Sequence, residues 1–452
     1  MSASLWDIAI VGGGCSGLLV ATQLLRKGFR GSLAMVEPRA RLGQGLAYST
    51  EFDLHLLNVP AGKMSAFPAS PAHFLDWLRE HGWPDAQPYS FVPRKVYGNY
   101  LEDLLRSELS GAPAGENFRH MCGRAAGVKV AGEVVCVALE DGTCLNARRV
   151  VLALGNPASS TPVNVAGGMD ELFHKSPWTD DALRLRFPDE RILLLGTGLT
   201  AIDSELAILG QSDQAQVTLV SRRGLLPQVH SSCRPAPPPA QMNPHRSLRL
   251  ILHDARARIR ELEKMGFCWR VAVDALRPVS NDFWRNLPPA DQRQFLRLLK
   301  PYWEPHRHRM APECALRTES YRAEGRLRIL AGRVLRIDRC RHALQVEVAS
   351  RCGPIERFEV DRVINCTGIH EDYRKSPRPL IAAIIGAGLA CANDLGLGFR
   401  TDSNGALIDS AGRSSQVLFT LGPPRRGELF ETTAVPEIRR QAESLAEHLL
   451  SS

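Results

Sequence analysis

Two short glycine-rich segments contain the residues whose types and spacing most clearly indicate a chemical role. Residues 12–17 read GGGCSG, and residues 196–201 read GTGLTA. Both fit the pattern G-x-G-x-x-G/A, in which glycines let the backbone turn tightly and approach a pyrophosphate. Each segment follows a strand-sized apolar run and opens a helical pattern, so the free N–H groups of a helix N-terminus would face the phosphates. The sequence therefore predicts two dinucleotide sites.

The first segment predicts a site for FAD. Gly12 permits the turn, Gly14 admits the pyrophosphate, and Gly17 lets helix and strand pack closely. The next apolar strand, residues 33–36, ends in Glu37, where a carboxylate can accept hydrogen bonds from both hydroxyls of an adenosine ribose. That acid suits FAD or NAD, and a motif this early in a chain with two such motifs is typical of FAD. The alternative is a βαβ unit whose glycines serve only a turn.

The second segment predicts a site for NADPH. Its next apolar strand, residues 217–220, ends in Ser221, Arg222 and Arg223 rather than in an acid. A carboxylate there would repel a 2′-phosphate, whereas a hydroxyl and two guanidinium groups can bind it. The alternative is that the two arginines are simply solvated at a strand end. The predicted loop residues of this site are Gly196, Gly198 and Thr200.

These motifs predict an α/β chain with two Rossmann-like dinucleotide-binding domains. Residues 1–165 and 369–452 are expected to form the FAD domain, and residues 186–368 the NADPH domain. A mainly helical insertion over about residues 226–325 is expected to interrupt the second domain, because apolar residues recur there at helical spacing. Each domain closes with a strand that leads into a glycine, Gly155 in the first and Gly368 in the second.

Composition limits the function classes. A net charge of +8 without a basic tail favours anionic small ligands over nucleic acid. The apolar stretches are strand-sized and no leader pattern is present, so we expect a cytoplasmic protein without a membrane span. The 11 cysteines form no C-x-x-C pair, which argues against a flavoprotein disulfide reductase. His306 and His308 lack the partners of a metal site, so no metal is predicted.

Six further segments carry a family resemblance. They are residues 42–49 (LGQGLAYS), 57–60 (LNVP), 64–68 (MSAFP), 92–100 (VPRKVYGNY), 302–310 (YWEPHRHRM) and 431–439 (ETTAVPEIR). With the two glycine motifs, they make the chain similar to the FAD/NAD(P)-binding flavoproteins with two dinucleotide domains. More narrowly, the chain resembles a bacterial group that includes flavin-dependent amino-acid N-hydroxylases. The resemblance covers nearly the whole chain but does not fix a substrate.

The resemblance implies both further cofactor contacts and an activity. The FAD-binding set would then be Gly12, Gly14, Ser16, Gly17, Glu37, Gly45, Asn58, Met64, Gly155 and Val435. The implied activity is NADPH-dependent monooxygenation, by way of a C4a-hydroperoxyflavin, that hydroxylates the nitrogen of a small amine or amino acid with dioxygen. Two alternatives stay open: an NADPH-dependent flavin oxidoreductase without oxygen insertion, and a redox sensor that binds both dinucleotides. A homo-oligomer is compatible with the sequence.

Three residues are candidate catalytic residues. Asn58 is expected beside the flavin, and Arg307 or Arg309 is expected to bind a substrate carboxylate or the nicotinamide cofactor in a cleft between the domains. The alternative for the arginines is a structural ion pair with an acid such as Glu304 or Glu313.

Overall fold

The computed structural model describes residues 5–111, 115, 117–157, 171–179, 181–231, 247–351, 353–368 and 371–451. Within these ranges the apolar runs before the two glycine motifs become central strands of two separate sheets. The sheets and their covering helices confirm the predicted α/β class.

The first sheet is mostly parallel and contains the first glycine motif. Its strand order is β14-β15-β6-β1-β2-β3, and β5 of a β4–β5 hairpin pairs with the first part of β6, on the same edge of β6 as β15. The strands are β1 (Leu5–Val11), β2 (Leu33–Val36), β3 (Phe118–Met121), β4 (Ala125–Ala131), β5 (Val134–Leu139), β6 (Cys144–Leu152), β14 (Ala406–Ile408) and β15 (Ser414–Thr420). The last two strands come from the C-terminal part of the chain, which thus returns to the first sheet.

Helices cover this sheet on both faces. Helix α1 packs against α13 and α4 over one face, and α12 packs against the β4 hairpin strand. The helices in the parts of the chain that form the first sheet are α1 (Cys15–Arg26), α2 (Gly45–Tyr48), α3 (His73–Glu80), α4 (Arg94–Gly111), α12 (Pro379–Gly386) and α13 (Val435–Ser451). Within the ranges that the structure describes, no helix is both long enough and apolar enough to cross a membrane.

The second sheet has the order β12-β11-β10-β9-β8-β13-β7 and contains the second motif after β8. Its strands are β7 (Phe173–His174), β8 (Arg191–Leu195), β9 (Gln216–Ser221), β10 (Leu327–Cys340), β11 (Ala343–Ser350), β12 (Ile355–Val360) and β13 (Arg362–Asn365). Helix α5 (Leu199–Leu209) follows the glycine loop. Strand β7 lies between the predicted domain ranges 1–165 and 186–368. The sequence did not predict this strand, because two residues are too few to show a periodic pattern.

A helical insertion separates β9 from β10. It contains α6 (Leu248–Lys264), α7 (Trp269–Leu276), α8 (Ser280–Asn286), α9 (Pro289–Gln294), a π-helical turn (Phe295–Leu299), α10 (Lys300–Arg307) and α11 (Pro312–Ala323). Part of the predicted insertion, residues 232–246, lies outside the described residues. Helix α11 packs on α5, while Trp284 of α8 packs on Phe430 just before α13. The insertion therefore contacts both sheet domains.

Candidate cofactor sites and the cleft between them

The first glycine loop has the close backbone contacts of a dinucleotide cradle. Gly12 has a φ of +108°, and a Cβ there would lie 2.2 Å from the carbonyl oxygen of Ala153. A Cβ on Gly17 would lie 1.9 Å from the carbonyl oxygen of Gly12. Gly14 ends the loop before α1 and faces Gly45, whose Cα would be 3.3 Å from a Gly14 Cβ. These contacts hold the loop tightly at the N-terminus of α1, which is the end of a helix that favours the pyrophosphate of a dinucleotide such as FAD.

Glu37 lies beside this loop at the end of β2. It is buried, and its Oε2 accepts a hydrogen bond from the N–H of Gly13 at 2.9 Å. Its Oε1 accepts from the N–H of Arg39 at 3.2 Å. A carboxylate has about four acceptor positions, so acceptor capacity remains for ribose hydroxyls. Its predicted role in ribose binding stays a prediction.

The other predicted FAD residues lie in three further segments. Ser16 of α1 is buried, and Gly422 lies between it and Ile438 of α13, since a Gly422 Cβ would be 3.1 Å from Ser16 Oγ. Val435, the first residue of α13, is also buried. The N-terminal turns of α1 and α13 therefore converge. Met64 is buried in the same core, and Gly155, with a φ of +61°, faces open space.

The second glycine loop resembles the first at its tight turn but differs at its second glycine, Gly198. Gly196 has a φ of +112°, and a Cβ there would lie 2.6 Å from the carbonyl oxygen of Cys366, as Gly12 meets Ala153 in the first loop. A Cβ on Gly198, by contrast, would meet no atom within 4 Å. The surface above Gly198 at the start of α5 is thus open, which fits the approach of a pyrophosphate.

The end of β9 holds the predicted 2′-phosphate residues together. Ser221 Oγ accepts a hydrogen bond from the N–H of Gly224 at 3.0 Å and lies 2.9 Å from Thr197 Oγ1. Arg222 is exposed, and the guanidinium of Arg223 lies 5.1 Å from the ring centre of Tyr302. Ser221 therefore joins the strand end to the glycine loop, with both arginines available to an anion.

A cleft of about 470 Å³ runs from this strand end to the first domain. One wall is the second glycine loop with Ser221, Arg222 and Arg223, and the facing wall is α10 of the insertion. At the inner end lie Asn156, which follows Gly155, and Thr433, which precedes α13. The lining residues are Asn156, Thr197, Gly198, Leu199, Thr200, Ser221, Arg222, Arg223, Leu225, Pro227, Pro301, Glu304, Pro305, His308, Arg426 and Thr433.

Glu304 carries the negative charge in the wall of this cleft. Its carboxylate contacts His308 Nδ1 at 2.5 Å and Arg426 Nη2 at 3.2 Å. Burial alone would raise its pKa, but the neighbouring charges of His308, Arg426 and Lys300 bring the pKa of Glu304 well below its usual value. Sequence reasoning did not assign Glu304 or Arg426 to a site, although Glu304 lies in the segment 302–310 that carried the resemblance.

Arg307 and Arg309 are both buried, and both are paired with acids. Arg307 donates from Nε and Nη2 to the two carboxylate oxygens of Glu431, at 3.1 and 2.8 Å. Arg309 pairs with Asp274 of α7. The partners thus differ from Glu304 and Glu313, the acids that the sequence suggested. Within the described part of the chain, Arg309 Nε is buried and has no hydrogen-bond partner.

Asn58 and His230 join the first domain to the start of the insertion. His230 Nε2 lies 3.1 Å from the carbonyl oxygen of Asn58, so this nitrogen carries the proton and donates. Burial, and then the charge of Arg309, lower the pKa of His230 to about 4, and the ring is therefore neutral at pH 7. The predicted role of Asn58 beside a flavin stays a prediction.

A second contact between the domains involves Asp203 of α5. Arg94 Nη2 of the first domain is 2.7 Å from a carboxylate oxygen of Asp203, and His55 Nε2 contacts the carbonyl oxygen of Asp203 at 3.0 Å. Burial raises the pKa of Asp203 to about 6, although Arg94 opposes that shift. This ion pair joins the start of α4 in the first domain to α5, the helix that follows the second glycine loop.

No metal site accompanies these residues: over the ranges with described coordinates, no group of three or more His, Cys, Asp or Glu side chains could hold a metal ion.

Comparison with known proteins places the chain in a recognised fold. A family model described as FAD-NAD(P)-binding matches residues 9–157. No curated protein sequence matches the chain. Among solved structures, the ornithine N-hydroxylase of Kutzneria sp. 744 superposes with a TM-score of 0.68 at 15% identity, and covers 99% of each chain. The ornithine hydroxylase of Pseudomonas aeruginosa gives 0.67 at 16% identity and 99% of each chain.

The cadaverine monooxygenase of the desferrioxamine pathway from Erwinia amylovora, bound to FAD, gives a TM-score of 0.69 at 14% identity, over 99% of this chain and 95% of that one. These identities are low, so the similarity establishes the fold. Together with the family match it confirms the predicted two-domain architecture and the dinucleotide-binding character of the first domain. Residues 9–157 thus form a FAD-NAD(P)-binding domain, and the chain as a whole has the fold of the flavoproteins with two dinucleotide domains.

Proposed function

We propose that this chain is an NADPH-dependent FAD monooxygenase that hydroxylates the nitrogen of a small amine or amino acid. The observation that carries the proposal is the cleft, which connects Arg222 and Arg223 of the second domain to Asn156 and Thr433 of the first. A nicotinamide dinucleotide along this cleft would have its 2′-phosphate at the arginines, its pyrophosphate at the second glycine loop and its nicotinamide at the start of α13. FAD would occupy the Gly12 loop. The neighbours by structure, two ornithine hydroxylases and a cadaverine monooxygenase, support N-hydroxylation.

FAD and NADPH in such enzymes supply two electrons for dioxygen activation and the transfer of one oxygen atom to a nucleophilic nitrogen. The protein must hold both cofactors and limit water at the junction. Helix α10 covers the cleft, and two bidentate ion pairs anchor the insertion to the segment around the start of α13. These are Arg307 with Glu431 and Arg277 with Glu437. The N-terminus of α13, so fixed, stabilises negative charge beside it.

Arg309 is the better candidate of the two arginines for a substrate carboxylate. Glu431 already occupies Nε and Nη2 of Arg307, whereas Arg309 keeps a buried Nε donor that lacks a partner among the described residues. Burial lowers the pKa of Arg309, but a guanidinium keeps its charge at pH 7. A bound carboxylate would satisfy that Nε donor, while Asp274 keeps its ion pair with Arg309 Nη2.

The test is to measure NADPH consumption and hydroxylamine formation together, across a panel of diamines and basic amino acids. The proposal expects at least one amine to yield hydroxylamine in proportion to NADPH consumed. NADPH oxidation that yields only hydrogen peroxide with every amine would favour the oxidoreductase without oxygen insertion. If NADPH does not reduce the bound flavin at all, the sensor alternative replaces the enzyme.

A further inference from the structure

The turn after β11 brings a third arginine to the end of β9. Arg351 directly follows β11, and its N–H donates to the carbonyl oxygen of Ala331 at 2.8 Å. Ala331 in turn pairs with Ser221 in the parallel ladder of β10 and β9. Neighbouring strands lie about 4.8 Å apart, so Arg351 starts roughly 10 Å from Ser221, within reach of an arginine side chain and a ligand between them.

Tyr302 of α10 lies near both Arg223 and Arg351. Its ring centre lies 5.1 Å from the Arg223 guanidinium, and Arg223, followed by Arg351, lowers the pKa of the Tyr302 hydroxyl. Tyr302 is 45% exposed, so the hydroxyl is also open to solvent and to a ligand. The insertion thus contributes a phenol to the rim of the cleft, beside the two predicted phosphate-binding arginines.

The charge at this rim is not balanced by the protein. Arg222, Arg223 and Arg351 form no ion pair with any acid in the described ranges, whereas Arg328 and Arg357 of the same sheet pair with Glu356 and Glu347. Three guanidinium groups around one strand end repel one another, and a dianion bound among them would remove that repulsion. A phosphate monoester, with a charge of about −1.5 to −2 at pH 7, is such a ligand.

We propose that Arg351 and Tyr302 complete the site for the 2′-phosphate of NADPH, together with Ser221, Arg222 and Arg223. This inference rests on the proposed function, because it takes NADPH as the ligand of the second site. Arg351 is then a specificity-determining residue that the glycine motif cannot reveal, since it lies 130 positions after Ser221 in the sequence.

The experiment compares two probes that differ only in the 2′-phosphate. Isothermal calorimetry on the FAD-loaded protein would measure the dissociation constants of 2′,5′-ADP and 5′-AMP for the wild type, Arg351→Gln, Arg351→Lys and Tyr302→Phe. The expected result for Arg351→Gln is about tenfold weaker binding of 2′,5′-ADP with unchanged 5′-AMP binding, which corresponds to about 1.4 kcal/mol. Arg351→Lys should lose less, because it keeps the charge but not the fork of donors.

Arg336→Gln is the matched control, because Arg336 is exposed on β10 and pairs with Asp338. It removes the same charge from the same sheet and should leave both probes unaffected. If the wild type prefers 2′,5′-ADP and Arg351→Gln keeps the full preference, the role of Arg351 is refuted. If the wild type itself shows no preference for 2′,5′-ADP, the assignment of NADPH in the proposed function fails instead.

Discussion

The helices that follow the two glycine loops bury different kinds of side chain. The fifth to seventh residues of α1 are Leu19, Val20 and Ala21, whereas α5 has Asp203, Ser204 and Glu205 at the same positions. Both triplets are buried. Helix α1 packs on α13 and α4 within its own domain, while α5 receives Arg94 and His55 from the other domain.

The difference shows that one loop motif serves two structural settings. In the first, the glycines are part of a domain core, and a Cβ at Gly12 or Gly17 would overlap a carbonyl oxygen. In the second, the helix is also an interface between the domains, its third motif glycine is replaced by Ala201, and Gly198 faces open space. Packing therefore constrains the first glycine of both motifs, Gly12 and Gly196, whereas a packing constraint at the third motif position is present only in the first loop, at Gly17.

Gly17→Ala should have the largest effect and tests the packing constraint. The new Cβ would lie 1.9 Å from the Gly12 carbonyl oxygen, so we expect a loss of more than about 4 kcal/mol in the free energy of unfolding, with loss of bound flavin. Ala201→Gly, at the equivalent position, should cost only about 1 kcal/mol. Thermal unfolding and flavin absorbance of the purified proteins measure both. Wild-type unfolding and flavin content in the Gly17→Ala protein would show that packing does not constrain position 17 more than position 201.

Arg307→Ala tests whether the contact between the insertion and the first domain is structural or binds a ligand. It leaves buried Glu431 without its partner, which should cost about 3–5 kcal/mol of stability. Glu431→Gln breaks the same pair and is the matched control. If Arg307 binds a ligand as predicted from the sequence, only Arg307→Ala should raise the Michaelis constant for the amine or for NADPH. Unchanged constants for both would contradict that role.

Glu205→Gln tests the effect of a buried carboxyl group in α5, where α1 has Ala21 at the equivalent position. Burial raises the pKa of Glu205 to about 8, against an ordinary value of 4.5, although Thr318 donates to it. A raised carboxyl pKa means that the folded protein takes up a proton, so stability is highest below pH 4.5 and falls as pH rises toward 8. The loss by pH 7 is roughly 3 kcal/mol.

The glutamine variant stays neutral at every pH, so this part of the pH dependence should disappear and the protein should be more stable at pH 7. Chemical denaturation at several pH values measures the slope. Glu319→Gln, at an exposed position of α11, should keep the wild-type slope. An unchanged slope in Glu205→Gln would show that the carboxyl titrates normally.

The double variant Arg222→Ala, Arg223→Ala tests the ligand of the second site. Loss of two charge-assisted contacts should weaken NADPH binding by about 100-fold, or about 2.7 kcal/mol, with little change for NADH. Arg249→Ala, Arg256→Ala removes two exposed arginines from α6 and should leave both affinities unchanged. Equal losses for NADPH and NADH would show that these arginines do not read the 2′-phosphate.

Gly198→Ala should have the smallest effect and completes the comparison with Gly17. Its φ of −80° suits any residue, and a Cβ would meet no protein atom within 4 Å. We therefore expect wild-type stability, with about tenfold weaker binding of NADPH and NADH alike, or about 1.4 kcal/mol. Titration by fluorescence measures the affinities. A stability loss as large as that of Gly17→Ala would mean that the loop is limited by packing after all.

The parts of this protein that depend on local geometry follow from its sequence alone. Positive φ angles at Gly12 and Gly196 follow from a tight turn between strand and helix, and only glycine adopts them without strain. The identity of the residue after the second strand, Glu37 or Ser221, follows directly from its place in the motif. Strand, loop and helix of each unit are adjacent in the chain, so their pattern could be read before the fold was known.

Contacts between side chains that are distant in sequence depend on how the helices and strands pack together. Arg307 pairs with Glu431 and Arg309 with Asp274, although Glu304 and Glu313 are nearer in sequence. The reason is that packing of the insertion against the segment before α13 selects a partner among the 48 acids of the chain, and no local signal marks the chosen one. The position of Arg351 has the same origin, because the hairpin of β10 and β11 returns the chain to Ala331, which pairs with Ser221 at the end of β9.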